Sequence, residues 1–115
     1  MADPSTDPFD NWTVQVRKGI LELCILNALE ARERYGYDLV KTLAALPGIG
    51  VTEGTLYPLL SRLRAQGLLK SRLEESGEGP ARKYYALSSS GRTAVALMNR
   101  YLTDLASACR ELRTK

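Results

Sequence analysis

The sequence predicts a mainly α, α+β fold: a winged helix-turn-helix with a two-stranded wing and a C-terminal dimerisation helix. Three observations predict it. Residues 52 to 63 read as a capped amphipathic helix, residues 69 to 87 as two strand-like runs around a Gly-rich turn, and residues 90 to 113 as a helix whose apolar face is too wide for one chain to cover. The chain thus divides into a flexible acidic arm over 1–12, a winged helix-turn-helix over 13–87 and a terminal helix over 88–115.

The arm holds Asp3, Asp7 and Asp10 with Pro4 and Pro8 and no Lys or Arg before residue 17, a composition that buries too little apolar surface to offset the cost of ordering. Phe9 and Trp12 are the exception, an aromatic pair expected to dock on the assembled dimer. The first helix is expected from Thr13 to Ala31. Its segment Ile20 to Leu29 is apolar nearly all round, so it should be buried both by its own core and by a second subunit, with Ile20 and Leu23 at that contact. A charged turn, Arg32-Glu33-Arg34, leads to a second helix over Gly36 to Ala45, which Pro47-Gly48-Ile49-Gly50 ends.

In the third helix Leu56, Leu59, Leu60 and Leu63 recur at helical spacing and form one core stripe. Thr52 is placed to cap the first turn, and Val51 with Leu56 to staple it. The opposite face carries Gly54, Pro58, Ser61 and Ala65, flanked by Thr55, Tyr57, Arg62 and Arg64. A slim face with basic flanks lets a helix backbone approach the bases of a DNA major groove, whereas a merely solvated face would carry more Glu and Lys. Pro58 lies beyond the first turn, so a kink or a late start is expected.

Leu69 to Leu73 alternates apolar with polar, and Tyr85 and Leu87 supply the inward positions of a returning strand. No Asp or Glu occurs from residue 54 to 73 or from 79 to 103, leaving Arg62, Arg64, Lys70, Arg72, Arg82, Lys83 and Arg92 without acidic neighbours in sequence. They form a candidate phosphate-facing set. The loop between the strands carries Glu74, Glu75 and Glu78, so the base of the wing rather than its tip should touch DNA.

In the last helix Ala94, Met98, Tyr101, Leu105, Ala108 and Leu112 follow a heptad seam, and Val95, Leu102 and Cys109 widen it. One side can meet its own domain and the other a partner. Met98, Tyr101, Leu102, Leu105, Cys109 and Leu112 therefore join Ile20 and Leu23 as the expected homodimer interface.

Charge and composition set the remaining bounds. The 115 residues allow one core and no second full domain. The formal charge is +3, moderate enough to support nucleic-acid binding only where it is clustered. The chain has no histidine and no CxxC pair, which excludes histidine-based acid–base catalysis and leaves no metal or cofactor expected. Cys24 and Cys109 sit among apolar residues and read as small hydrophobes. No signal peptide, membrane-length apolar run, Gly-rich phosphate loop or nucleophile elbow is present, so a cytoplasmic protein that is not an enzyme and does not enter a membrane is expected.

Three segments, Tyr35-Gly36-Tyr37-Asp38-Leu39, Gly54-Thr55-Leu56-Tyr57-Pro58-Leu59-Leu60 and Arg82-Lys83-Tyr84-Tyr85-Ala86-Leu87, resemble the successive motifs of the PadR family of bacterial transcriptional regulators. The likeness spans about residues 17 to 113. It departs from the family pattern at Tyr35, where histidine is frequent, and at Ala81, where a Gly-Arg-Pro-type wing sequence is frequent. The resemblance implies a homodimeric repressor whose third helix enters the major groove, with Thr55, Tyr57 and Pro58 in that helix and Lys83 and Tyr84 in the wing. With the basic set, Tyr57, Ser61 and Arg62 become the candidates for base edges, and Thr55, Arg64, Lys70, Arg82, Lys83 and Tyr84 for phosphates of a pseudo-palindromic operator in double-stranded DNA. The resemblance also implies a small aromatic effector near the dimer interface, for which Trp12, Met98 and Tyr101 are available liners; at heptad spacing Met98 and Tyr101 read first as core. The acidic wing tip keeps a second reading open, a winged helix that contacts only proteins.

Overall fold

In the computed structural model, which describes residues 7–115, four helices enclose a small sheet in the order α1 (Pro8–Ala31), β1 (Arg34–Tyr35), α2 (Gly36–Ala44), α3 (Glu53–Ala65), β2 (Leu69–Glu74), β3 (Arg82–Leu87) and α4 (Ser89–Leu112). Residues 1–6 of the expected arm lie outside the described residues. Residues 8–12 are helical rather than part of a flexible arm. Asp7 Oδ1 accepts hydrogen bonds from the backbone N–H of Phe9 (2.9 Å) and Asp10 (3.3 Å), and Pro8 stands at the first helical position, where its missing N–H costs nothing.

The core is built from Leu21, Leu23, Ile25, Leu26 and Leu29 of α1, Leu39, Val40 and Leu43 of α2, Leu56, Leu60 and Leu63 of α3, and Leu69, Tyr85, Leu87 and Val95. Burying a leucine side chain contributes about 1.5–3 kcal/mol, so the leucine stripe of α3 fixes that helix's roll about its axis. Thr52 caps α3 as expected, its Oγ1 accepting from the N–H of Thr55 at 3.3 Å, and Val51 and Leu56 are both buried beneath it. The expected late start does not occur. The helix begins at Glu53 and runs unbroken through Pro58, because Pro58 and the Gly54 carbonyl it deprives of a partner both lie on the exposed side.

At the end of α3, Gly67 (φ 80°) closes a Schellman turn: the Gly67 N–H donates to the Arg64 carbonyl and the Leu68 N–H to the Leu63 carbonyl, both at 3.0 Å. The same turn receives α4. The Ser88 N–H donates to the Leu68 carbonyl (3.0 Å), Ser88 Oγ donates to the Gly67 carbonyl (2.6 Å) and accepts from the Gly91 N–H (3.0 Å). Ser88 thus caps α4, which begins at Ser89, and ties it to the base of the wing.

The expected two-stranded wing, β2 and β3, is joined by a short third strand in an antiparallel sheet of order β1-β3-β2. β1 escapes sequence reading because Arg34-Tyr35 is too short to show alternation; Tyr35 pairs with Tyr84 and Arg34 with Tyr85. In the wing Leu69 pairs with Leu87, Ser71 with Tyr85 and Leu73 with Lys83. Leu69 and Leu87 are buried as expected, but Leu73 is 69% exposed, since the hairpin has outrun the core by that point. Of α4 only Gly91 and Val95 are buried; Met98 and Leu102 pack partly on the core, and paired amide hydrogen bonds between Asn27 and Asn99 (3.1 and 2.7 Å) lock α4 to α1.

Candidate nucleic-acid interface

On α3 the slim face stands clear: Gly54, Pro58, Ser61 and Ala65 are all exposed, with Thr55, Arg62 and Arg64 exposed beside them. The two flanks differ in what they touch. Arg62, which has no acidic neighbour in sequence, forms an ion pair in space with Glu22 of α1. Thr55 Oγ1 lies 3.1 Å from Thr52 Oγ1 within the capping turn. On the other flank Tyr57 lies over Gly36 at the start of α2; a Cβ there would stand 2.8 Å from a carbon of the Tyr57 ring and 2.9 Å from its hydroxyl. Partial burial, then Glu53, pushes the Tyr57 phenol above its ordinary value.

The two-residue period of β3 divides the wing candidates between its faces. Tyr85 and Leu87 point into the core, so Lys83 shares their side, its Nζ 5.8 Å from the Tyr85 ring centre. Arg82 and Tyr84 occupy the other side with Lys70 and Arg72 of β2, whose register partners on β3 are Ala86 and Tyr84. Tyr84 packs against Tyr35 with the rings tilted by 59° (5.7 Å between centres), the Arg82 guanidinium lies 4.8 Å over Tyr35, and that of Arg72 lies 4.7 Å over Tyr84. The wing candidates therefore do not form one surface. Lys83 faces the α3 side together with Tyr57, while Lys70 and Tyr84 face away from it.

A cleft of 470 Å³ runs between the wing and the start of α2, lined by Tyr35, Gly36, Tyr57, Arg82, Lys83 and Tyr85, with Glu78 and Pro80 of the wing loop at its edge. The loop folds back on itself, Ser76 Oγ donating to the carbonyls of Glu78 (2.7 Å) and Pro80 (3.2 Å). Burial raises the Tyr85 phenol above its ordinary value, Tyr57 adds to that and Arg64 opposes it.

Sequence reasoning missed Glu22 and Glu33, the acids that pair with Arg62 and Arg72. No local signal could have found them, because both contacts join α1 or the turn after it to elements formed much later in the chain. Within the single chain Cys24 is half-buried, its thiol pushed up by burial, and Cys109 is exposed on α4. Among the described residues no cluster of acids and cysteines could hold a metal ion, and no helix is long and apolar enough to cross a membrane.

The expected interface residues lie along α1 and α4. Between those helices runs an apolar groove of 590 Å³ whose lining includes Ile20, Leu23, Met98, Tyr101, Leu102 and Leu105. Leu23 is already buried within the chain, whereas Tyr101 is 67% and Leu105 45% exposed; Cys109 and Leu112 lie exposed farther along α4. Met98 and Tyr101 share this groove. Trp12 is outside its lining, one turn before Val16, stacked on Phe9 at 6.2 Å and exposed.

Residues 25–97 match the transcriptional regulator PadR-like family. The chain is 36% identical over 92 residues to the transcriptional regulator Rv3488 of Mycobacterium tuberculosis, covering 80% of this chain and 84% of that one. Among solved structures it resembles a PadR family transcriptional regulator from Eggerthella lenta (34% identity, TM-score 0.82, 92% of each chain). It also resembles the PadR-like transcriptional regulator BC4206 from Bacillus cereus (34% identity, TM-score 0.76, 85% of this chain and 95% of that one). The exposed face of α3, the wing and these likenesses together identify the chain as a member of the PadR-like family of transcriptional regulators, a DNA-binding winged helix and not an enzyme.

Proposed function

We propose that the protein is a homodimeric repressor that binds a pseudo-palindromic operator through α3 and the α3-facing side of the wing, in the cytoplasm. The observation that carries this reading is the exposed face of α3, where Gly54, Ser61 and Ala65 leave the helix backbone accessible and Arg64 lies exposed two turns from Tyr57 on the same flank. A major groove about 12 Å wide accepts such a helix edge-on, and a bulky acidic face would not enter it. Tyr57, Ser61 and Arg62 are the candidates for base edges, Arg62 after exchanging Glu22 for a base. Thr55, Arg64 and Lys83 are the nearest candidates for phosphates, Arg82 lines the same cleft as Tyr57 and Lys83, and Lys70 and Tyr84 are reached only if the backbone passes the outer side of the wing.

A second copy is the occupant that best fits the groove between α1 and α4. Its apolar side chains continue onto the uncovered seam of α4, and a soluble monomer rarely leaves so long an apolar strip open. Two-fold pairing would set the recognition helices roughly 34 Å apart, one turn of DNA. Hydroxyl-radical footprinting of the protein's own upstream DNA tests this: two protected blocks one helical turn apart on one face support the dimeric operator, and one block or uniform protection refutes it.

Release by a small aromatic ligand belongs to the same reading, with Met98 and Tyr101 inside the groove and Trp12 near its end as the reporter. Such a ligand must bind the non-DNA-binding dimer better, since equal affinity for both states shifts nothing. Quenching of Trp12 accompanied by DNA release supports it, and quenching without release refutes it.

A further inference from the structure

The outer face of the sheet carries one continuous constellation, of which the DNA-binding reading uses only Arg82 and Tyr84. Tyr35, Tyr84 and Arg72 are direct register partners across β1, β3 and β2. The Arg72 side chain lies across the Tyr84 ring at 4.7 Å and reaches over β3 to Glu33, just before β1. There it makes a two-pronged contact: Nε donates to Glu33 Oε2 at 2.9 Å and Nη2 donates to Glu33 Oε1. Its third nitrogen lies 3.5 Å from Glu74. Arg82 over Tyr35 completes the stack.

Two consequences follow from that arrangement. Arg72 is charge-matched by Glu33 and Glu74, so its guanidinium is committed to the sheet and not offered to phosphate. Its reach also spans the whole sheet, tying the edge strand β2, the outermost part of the wing, to the turn that joins α1 to α2. Exposed ion pairs usually contribute little, but a fork-on-carboxylate pair backed by an aromatic ring is the geometry in which they contribute measurably. The Glu33 carboxyl is correspondingly held below its usual range by the hydrogen bond from Arg72.

We propose that Glu33 and Arg72 are positioning residues for DNA binding: they staple the wing to the helix-turn-helix body and hold Lys83 at its angle to α3, a role that rests on the DNA-binding reading above. The proposal makes an acidic residue necessary for binding a polyanion. A charge-only account predicts the opposite sign.

The test uses full-length protein and the variants Glu33→Gln and Arg72→Lys, the second of which keeps the charge and loses the fork. Hydrogen exchange on the free protein comes first. In both variants the amides of β2 and β3 should exchange several-fold faster while those of α1 are unchanged; unchanged wing amides overturn the staple. Binding to the upstream promoter duplex is then measured at two salt concentrations. Both variants should bind about fivefold more weakly with the wild-type salt slope, since the number of phosphates contacted does not change. Tighter binding by Glu33→Gln, or wild-type binding by Arg72→Lys, overturns the positioning role. If the wing loosens as expected but the wild-type protein does not prefer promoter over scrambled DNA, the DNA-binding reading itself is refuted, and the positioning role falls with it.

Discussion

Replacing Gly91 by Ala tests how tightly the base of the wing is joined to α4. Gly91 is buried in the first turn of that helix, and a Cβ there would fall inside contact distance of the Leu68 carbonyl oxygen, with the Leu68 carbonyl carbon at 3.1 Å and Leu87 Cδ2 at 3.3 Å. The obstacle is backbone, so no rotamer change relieves it; α4 or the α3–β2 turn must move, and the Ser88 hydrogen bonds that join them must stretch. Overpacking of this kind costs roughly 1–3 kcal/mol, whereas Gly→Ala within a helix returns at most about 1 kcal/mol. Because the obstacle is backbone, the overpacking cost lies toward the upper part of its range, so the net expectation is a loss of about 1–2 kcal/mol, and at about 4–8 °C per kcal/mol for a domain near this size the melting temperature should fall by roughly 4–16 °C. Thermal unfolding followed by circular dichroism at matched protein concentration measures it. A melting temperature equal to or above wild type would refute the packing described between Gly91 and Leu68.

The contrasting glycine is Gly54, where a Cβ meets only Thr52 Oγ1 at 3.9 Å; Gly54→Ala should leave stability unchanged or slightly higher yet weaken promoter binding, and wild-type affinity would remove the slim face from the account. Leu105→Glu places a charge in the groove between α1 and α4, and light scattering should report a monomer with an unchanged helical spectrum, because Leu105 supports no buried core within its own chain. Lys83→Ala should weaken promoter and scrambled DNA alike and lower the salt slope by about one, as loss of a single phosphate contact requires. The raised phenols of Tyr57 and Tyr85 predict alkaline sensitivity. Both remain protonated in the folded chain when the unfolded chain has begun to ionise, so their contribution is fully present below the ordinary tyrosine value of about 10 and is lost as pH rises through the folded values. Denaturant midpoints between about pH 8 and 11 should fall above pH 10 and fall less in Tyr85→Phe.

Residues whose role is decided within one helix or one hairpin were legible in the sequence. The leucine stripe of α3, the Thr52 cap and the pairing of Leu69 with Leu87 follow from spacing alone, because periodicity and capping are local. What could not be read depends on chain segments far apart. β1 exists only because Tyr35 finds Tyr84, and the acids that pair with Arg62 and Arg72, Glu22 and Glu33, sit far from them in the sequence. Likewise, counting Lys83 and Tyr84 as one site ignores that adjacent residues of a strand point to opposite faces. In the described part of the arm, composition hid the start of α1, since Asp7-Pro8 begins a helix that the acids beside it do not advertise.

The central claim is that α3 and the wing select a DNA sequence. Fluorescence anisotropy should compare the protein's upstream promoter duplex with a scrambled duplex of equal length, at two salt concentrations. The account predicts tighter binding to the promoter and a steep loss of affinity to both duplexes as salt rises. Equal affinity for both duplexes, or binding indifferent to salt, would contradict it and favour a winged helix that contacts only proteins.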